Sequence, residues 1–262
     1  MYLSEKHIKD YQIDGVIIVK EIFKDWIEPL RKGFQKVLEN PSKHGRENVN
    51  DDNGRFFEDY CNWERIEEFK NCIYNSPGAQ IFTEATNSRS AQIFHEHIFI
   101  KDPGTHKETP WHQDMPYYCV DGNDTGSFWI PLDEVDQENN LKLILGSHKW
   151  EKLIRPTKWS NNKSWYNDDS SFMDLPSSKE FEKNIFIPEL TLGDAVLFNF
   201  KIVHGSTGNN TLKSRRAFSM RFIGDDVKYI DRGGPTSPPF DGINLKTGDL
   251  MRDDWFPRVF SN

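Results

Sequence analysis

Thr109-Pro110-Trp111-His112-Gln113-Asp114 is the stretch on which the reading of this chain turns. In extended backbone, residues two apart point to one face, so His112 and Asp114 are expected to present an imidazole and a carboxylate side by side. Joined by a second histidine from elsewhere, the pair makes the 2-His-1-carboxylate set that holds ferrous iron with open positions. Such a pair also arises by chance, as a surface histidine and aspartate on a turn after Pro110. The rest of the chain has to decide.

Ninety residues on, His204 stands in Ile202-Val203-His204-Gly205-Ser206, and Ser214-Arg215-Arg216-Ala217 follows after Gly208-Asn209-Asn210-Thr211. Asn tolerates positive φ, so Asn209-Asn210 is expected to form a tight hairpin turn. That register sets His204 opposite Arg215, with Cβ atoms about 5 Å apart; a one-residue slip substitutes Arg216. A guanidinium beside a metal-binding histidine can grip one carboxylate of a co-substrate bidentately while its other end chelates the metal.

Outward from these stretches, the chain reads as helices first and strands later. Ser4 caps a short helix to Tyr11, Asp14-Gly15 turns, and Val16-Ile17-Ile18-Val19 is a buried strand. Asp25 opens a second helix, with Glu28 placed for a capping box and Leu30, Phe34, Val37 and Leu38 on one face. Residues 42–60, with Gly45, Gly54 and Asp51-Asp52, read as a loop or flap. Glu64 to Tyr74 is a third helix, and Pro77-Gly78 breaks the chain. From residue 91 the period becomes two: 91–101, Ser127 to Leu132, Leu141 to Leu145, Leu190 to Val203 and Ala217 to Ile223 read as strands. The aromatic-bearing stretch 150–187 reads as an insertion or lid, and 224–262 as an irregular cap. The expected whole is one domain, mainly β (α+β), with core strands from about 91 to 223.

Composition narrows the function. A net charge of −8 over 262 residues argues against nucleic acid and anionic membrane as partners. Cys61, Cys72 and Cys119 show no C-x-x-C spacing and read as free thiols in a reducing compartment. The N-terminal residues carry no basic, apolar signal, and no stretch reaches transmembrane length, so a cytoplasmic location is expected.

Taken in order, the 109–114 stretch with Pro116-Tyr117-Tyr118, then Trp129, Gly146-Ser147-His148-Lys149, His204-Gly205-Ser206, Asn209, Arg215 and Ala217 resembles the phytanoyl-CoA dioxygenase family. The likeness spans most of residues 5–223 and includes the Asp14-Gly15-Val16 strand and the helix after it. It implies a double-stranded β-helix, a cupin-like jelly roll with the N-terminal helices packed outside. It implies Fe(II) and 2-oxoglutarate as cofactors, with His112, Asp114 and His204 as iron ligands. It also implies Arg215 on the distal 2-oxoglutarate carboxylate, Ser206 hydrogen-bonding nearby, and Trp129 lining that pocket. Lys101, at a strand end before the H-x-D loop, is a further candidate for the co-substrate. Asn139-Asn140 stands where the family usually carries glycine before Leu141, and asparagine can adopt the left-handed conformation glycine would supply. Asp114 is the acid that halogenating relatives lack, which favours hydroxylation.

The expected reaction is hydroxylation of a small organic metabolite by O2, with succinate and CO2 as co-products. Trp111, Tyr117, Tyr118 and the insertion are candidates for the substrate side, and Asp225-Asp226 for a cationic substrate group. No basic cluster marks a CoA site, so a small polar metabolite is favoured. Two other readings compete. His95 and His97 share a strand face and, with an acid nearby, would suit a cupin-like site of a metal isomerase or sugar-binding module; the third reading is a non-catalytic binding or regulatory barrel.

Overall fold

A computed structural model describes residues 1–51, 54–159, 163–167 and 170–262. Asp52 of the acidic pair, and residues 160–162 and 168–169 of the insertion, lie outside these residues. Helix α1 (Glu5–Asp14) starts as expected at Ser4, whose hydroxyl accepts from His7 N while His7 Nδ1 accepts from Ser4 N. It ends on Gly15 at φ 73°, a left-handed C-cap. A Cβ there would also lie 2.5 Å from His148 Nδ1, so geometry and space both require glycine. Strand β1 (Val16–Val19) follows. Helix α2 (Ile27–Glu39) differs at its start from expectation. Lys24–Trp26 form a 3-10 turn, no side chain caps the helix, and Glu28 pairs with Arg31 at 2.5 Å instead.

The 42–60 segment is not a flap. It forms a hairpin, β2 (Arg46–Asp51) and β3 (Gly54–Tyr60), which adds two strands to the main sheet. Polar residues misled the reading because Arg46, Glu58 and Tyr60 of this hairpin line an internal cavity, beside Phe56. Helix α3 (Glu67–Asn75) is the third expected helix. Pro77 then starts another rather than ending the chain's helical part: α4 (Gly78–Thr86) buries Ile81, Phe82 and Ala85.

The strands that follow are β4 (Ser90–Lys101), β5 (Thr109–His112), β6 (Val120–Asp121), β7 (Thr125–Pro131) and β8 (Leu141–Ile144). After the short helix α5 (Ser178–Phe181) come β9 (Ile185–Phe186), β10 (Ala195–Phe198), β11 (His204–Ser206) and β12 (Arg215–Ile223). The C-terminal segment is less irregular than expected, since it holds β13 (Lys228–Tyr229) and β14 (Arg258–Ser261), and β14 rejoins the main sheet on β4. The main sheet runs β1-β10-β7-β12-β4-β3-β2, and the smaller one β5-β11-β8-β9. Strand pairings within these two sheets are antiparallel, and the sheets form the jelly roll of a double-stranded β-helix.

Alternation along β12 divides the molecule. Phe218, Met220 and Phe222 point to the helices, where the Phe69 and Phe218 rings lie 4.8 Å apart. Arg215, Ala217, Ser219 and Arg221 point inward. Among the described residues no helix is long and apolar enough to cross a membrane.

The hairpin proposed around Asn209-Asn210 does not form. β11 pairs with β5 and β8, while β12 pairs with β4 and β7, so His204 and Arg215 stand in opposite sheets. Asn209 explains the difference. Its amide donates to Lys101 O and Lys213 O at 2.7 and 2.8 Å, pinning the connection across to β4 instead of folding it back.

One buried acid fixes the entry to β10. Asp194 accepts from Glu21 N, Thr191 N and Thr191 Oγ1, and pairs with Lys20 at 2.9 Å. Burial pushes its pKa up, but these donors outweigh burial and hold it below the usual carboxylate range. Its folded pKa is depressed, so its stabilisation is complete above the unfolded value, about 3.9, and is lost as pH falls through the folded one. Asp194→Ala is expected to lower unfolding free energy at pH 7 by about 1–2 kcal/mol, since it removes a buried acceptor from part-buried donors on exposed residues that water can partly satisfy. Urea titration of both proteins should show the gap closing below about pH 4.

Candidate active site

The inward faces of β4 and β12 form a ladder of matched pairs: Arg215 with Lys101, Ala217 with Phe99, Ser219 with His97, and Arg221 with His95. They floor a cavity of about 1120 Å³, open mouth included, between the two sheets. The small sheet supplies the opposite wall. There His112 and His204 are direct cross-strand partners with ring centroids 4.2 Å apart.

His112 ends β5 and Asp114 begins a 3-10 turn (Met115–Tyr117) at φ −71°, ψ −44°. The H-x-D pair therefore converges through a turn, not through the strand alternation expected from sequence. Asp114 N and Met115 N both donate to Phe200 O at 3.0 Å, which fixes that turn against the chain leading to His204. Ligand atoms of His112, Asp114 and His204 all lie within 4.8 Å of one another, and among the described residues no other group of three or more His, Cys, Asp or Glu side chains comes together this way. Asp114 Oδ1 is 3.6 Å from His112 Nε2 and 3.8 Å from His204 Nε2.

The chemistry of the donors suits a cation. His112 Nδ1 faces Pro110 O at 2.8 Å and His204 Nδ1 faces Ile202 O at 3.0 Å. A carbonyl only accepts, so each Nδ1 carries the proton and each Nε2 offers a lone pair to the shared point. Burial, then neighbouring His112, pushes His204 down to about 3, so its imidazole is neutral at ordinary pH. Burial alone would raise the Asp114 pKa, but Arg221 and the two imidazoles hold it well below the usual range. Arg221 Nε donates to Asp114 Oδ2 at 3.2 Å and orients the carboxylate.

At the other end of the cavity lies a cationic recess. Arg215 is buried and donates to Asn139 O and, at 3.2 Å, to Ser206 Oγ. Lys101 is buried too and donates to Ser206 Oγ at 3.2 Å and Thr207 O at 2.9 Å. Among the described residues neither forms an ion pair. Burial brings Arg215 down to about 10, and burial with the Arg215 charge drives Lys101 well below its ordinary value. A buried guanidinium beside a buried amine, with no counter-ion among the described residues, makes a recess shaped for an incoming carboxylate. Trp129 lines the same cavity. Arg215 thus meets Ser206 and Lys101 rather than His204. Nor does Asn140 take a left-handed form; its φ is −80°, and it is Asn139 whose carbonyl receives Arg215.

The substrate-side candidates divide. Tyr117 and Tyr118 line the cavity. Trp111 packs away from it, on Phe181. From the 150–187 insertion, Trp159 stands edge-on to His112 at 4.9 Å, and Trp165 packs on Tyr117 at 5.1 Å. Asp225 and Asp226 are occupied as turn acceptors, from Arg89 N and Ser90 Oγ and from Asn123 N and Asp124 N. His95 and His97 do line the cavity, but His97 Nε2 lies 3.2 Å from Glu58 Oε2, and among the described residues the two rings belong to no group of three metal-ligating side chains. Sequence reasoning missed Glu58, Tyr60 and Arg221 as cavity residues. The first two were hidden in the supposed flap. Arg221 was legible, three steps of two beyond Arg215 on the same strand face.

A jelly roll with a His-Asp-His cluster at one end of its cavity and a buried guanidinium at the other has the form of the non-heme, 2-oxoglutarate-dependent oxygenases. A family model for phytanoyl-CoA dioxygenase (PhyH) matches residues 11–217, and the chain belongs to that family. The peroxisomal phytanoyl-CoA dioxygenase of Rattus norvegicus is 25% identical over 259 residues, covering 88% of this chain and 72% of the rat protein. Among crystal structures, the non-heme alpha-ketoglutarate-dependent epimerase SnoN from nogalamycin biosynthesis superposes with a TM-score of 0.77 at 15% identity, covering 98% of each chain. The carbocyclase SnoK from the same biosynthesis gives 0.75 at 17% identity, covering 98% of this chain and 97% of its own. These likenesses support the fold.

Proposed function

We propose that the protein is an Fe(II)- and 2-oxoglutarate-dependent dioxygenase that hydroxylates a small organic metabolite, with succinate and CO2 as co-products. The observation that carries this is the pairing, within one cavity, of the His112-Asp114-His204 cluster with the buried Arg215 guanidinium and Lys101 amine. His112 Nε2, Asp114 Oδ1 and His204 Nε2 would hold the iron. Arg215 would receive the distal carboxylate of 2-oxoglutarate, with Ser206 and Lys101 donating beside it and Trp129 walling the recess. Iron with its co-substrate would supply the O2 activation that the side chains alone cannot.

The protein's own part is positional. Pro110 O and Ile202 O fix both imidazole tautomers, Arg221 turns Asp114, and Trp159 and Tyr117 shield His112 from water. The three cysteines are free, which fits a reducing, cytoplasmic setting, while the rat relative is a peroxisomal protein. SnoN and SnoK are named for epimerisation and ring closure, so the fold serves other outcomes than hydroxylation.

The test is 2-oxoglutarate turnover by the reconstituted protein in air. Succinate formation that requires Fe(II) is expected, and a product gaining one oxygen atom from O2 once a substrate is present. A protein that binds iron but never converts 2-oxoglutarate, with any compound of a broad metabolite screen, would support the binding-module reading instead.

A further inference from the structure

The cavity floor holds polar atoms that neither the metal cluster nor the cationic recess uses. Of the buried side-chain nitrogens and oxygens lacking a hydrogen bond among the described residues, those lining the cavity belong to His95, His97 and Arg221. His97 sits beside Glu58, which is in turn 3.7 Å from Arg46, so that group is electrically closed. Arg221 and His95 differ. Each is about 1–3% exposed, they are cross-strand partners on the cavity floor, and Arg221 reaches Asp114. Arg221 spends Nε on Asp114, and its Nη1 is left without an acceptor. His95 Nδ1 faces Glu96 O at 3.2 Å, which places its proton on Nδ1 and leaves Nε2 as a vacant acceptor.

Resting on the function proposed above, we infer that Arg221 and His95 form the substrate subsite, and that the substrate is a small carboxylic acid whose carboxylate meets Arg221 Nη1 while an adjacent hydroxyl or amine donates to His95 Nε2. Charge balance points the same way. When Asp114 turns its charge to a bound cation, the buried Arg221 guanidinium loses compensation and calls for a second anion. An alkyl chain laid on this floor would bury both atoms unpaired.

The experiment uses the full chain loaded anaerobically with Fe(II) and 2-oxoglutarate, both bindings being measured first. Three- to six-carbon 2-hydroxy and 2-amino acids, their methyl esters, and hexanoyl- and palmitoyl-CoA are then tested for binding and, in air, for oxygenated product. An acid is expected to bind about 100-fold more tightly than its ester. Arg221→Lys, which keeps a charge beside Asp114, should cut that acid-to-ester ratio about tenfold or more. His95→Leu should erase the preference for the hydroxy or amino acid over its unsubstituted parent. Iron content is recorded for each variant, so a lost metal is not mistaken for a lost subsite. Equal binding of acid and ester, turnover of acyl-CoA in place of the small acids, or no binding by any acid to the loaded protein would each overturn the inference. Failure of iron or 2-oxoglutarate to bind would overturn the function itself, and shows at the first step.

Discussion

His204→Ala or His112→Ala is expected to lower Fe(II) affinity by more than about 100-fold and to abolish iron-dependent succinate formation, while His95→Ala retains iron. The argument is geometric. His112 and His204 each hold Nε2 free by tying Nδ1 to a backbone carbonyl, and both point at Asp114 Oδ1. Loss of residues that merely orient ligands costs 10–100-fold in metal affinity, so loss of a ligand should exceed that. His95 lies on the opposite sheet with its ring toward Tyr118, outside the cluster. Anaerobic reconstitution, desalting and iron assay measure the effect directly. Circular dichroism of each variant separates a lost ligand from a lost fold. Retention of iron by both histidine variants would remove the site from this part of the molecule.

The second large effect concerns Arg215. Arg215→Met is expected to weaken 2-oxoglutarate binding by about 100-fold or more, with Fe(II) binding little changed. A charge-assisted bidentate pair in a buried recess contributes on the order of 3–5 kcal/mol when one partner is removed. The same substitution should leave the thermal midpoint of the unliganded protein unchanged or raise it. Arg215 is buried with Lys101 across the strand pair and has no acid partner among the described residues, so the unliganded fold carries a desolvated cation that methionine relieves. A purely structural arginine gives the opposite pattern, a lower midpoint and an unaltered affinity. Calorimetric titration of 2-oxoglutarate with a thermal scan reads both numbers.

Much of the site was legible in the chain because the relevant signals are short. H-x-D, the later histidine and the arginine beyond it each sit at a strand end, and strand ends are marked by Pro110, Gly205 and Ser214 within a few residues. The strand read from Ala217 to Ile223 is β12, which in the structure starts two residues earlier at Arg215. What failed was pairing. Sequence neighbours β11 and β12 looked like a hairpin, but in a jelly roll consecutive strands commonly belong to opposite sheets, and no local residue states which. Asn209 gave the turn without giving its direction. The 46–60 hairpin was unreadable for a related reason. Phe56, Phe57, Glu58, Asp59 and Tyr60 are all buried, with Phe56, Glu58 and Tyr60 on the cavity, and a strand covered on both faces that mixes polar and apolar residues loses the alternation by which strands are recognised. Helix α4 was lost to Pro77, read as a stop although proline is equally at home in a first turn.

The most direct measurement is a crystal structure of the protein soaked anaerobically with Fe(II) and 2-oxoglutarate. One iron is expected on His112 Nε2, Asp114 Oδ1 and His204 Nε2, with 2-oxoglutarate chelating it and its distal carboxylate on Arg215. Iron bound at His95 and His97 instead, or a co-substrate whose far carboxylate lies away from Arg215, would contradict it.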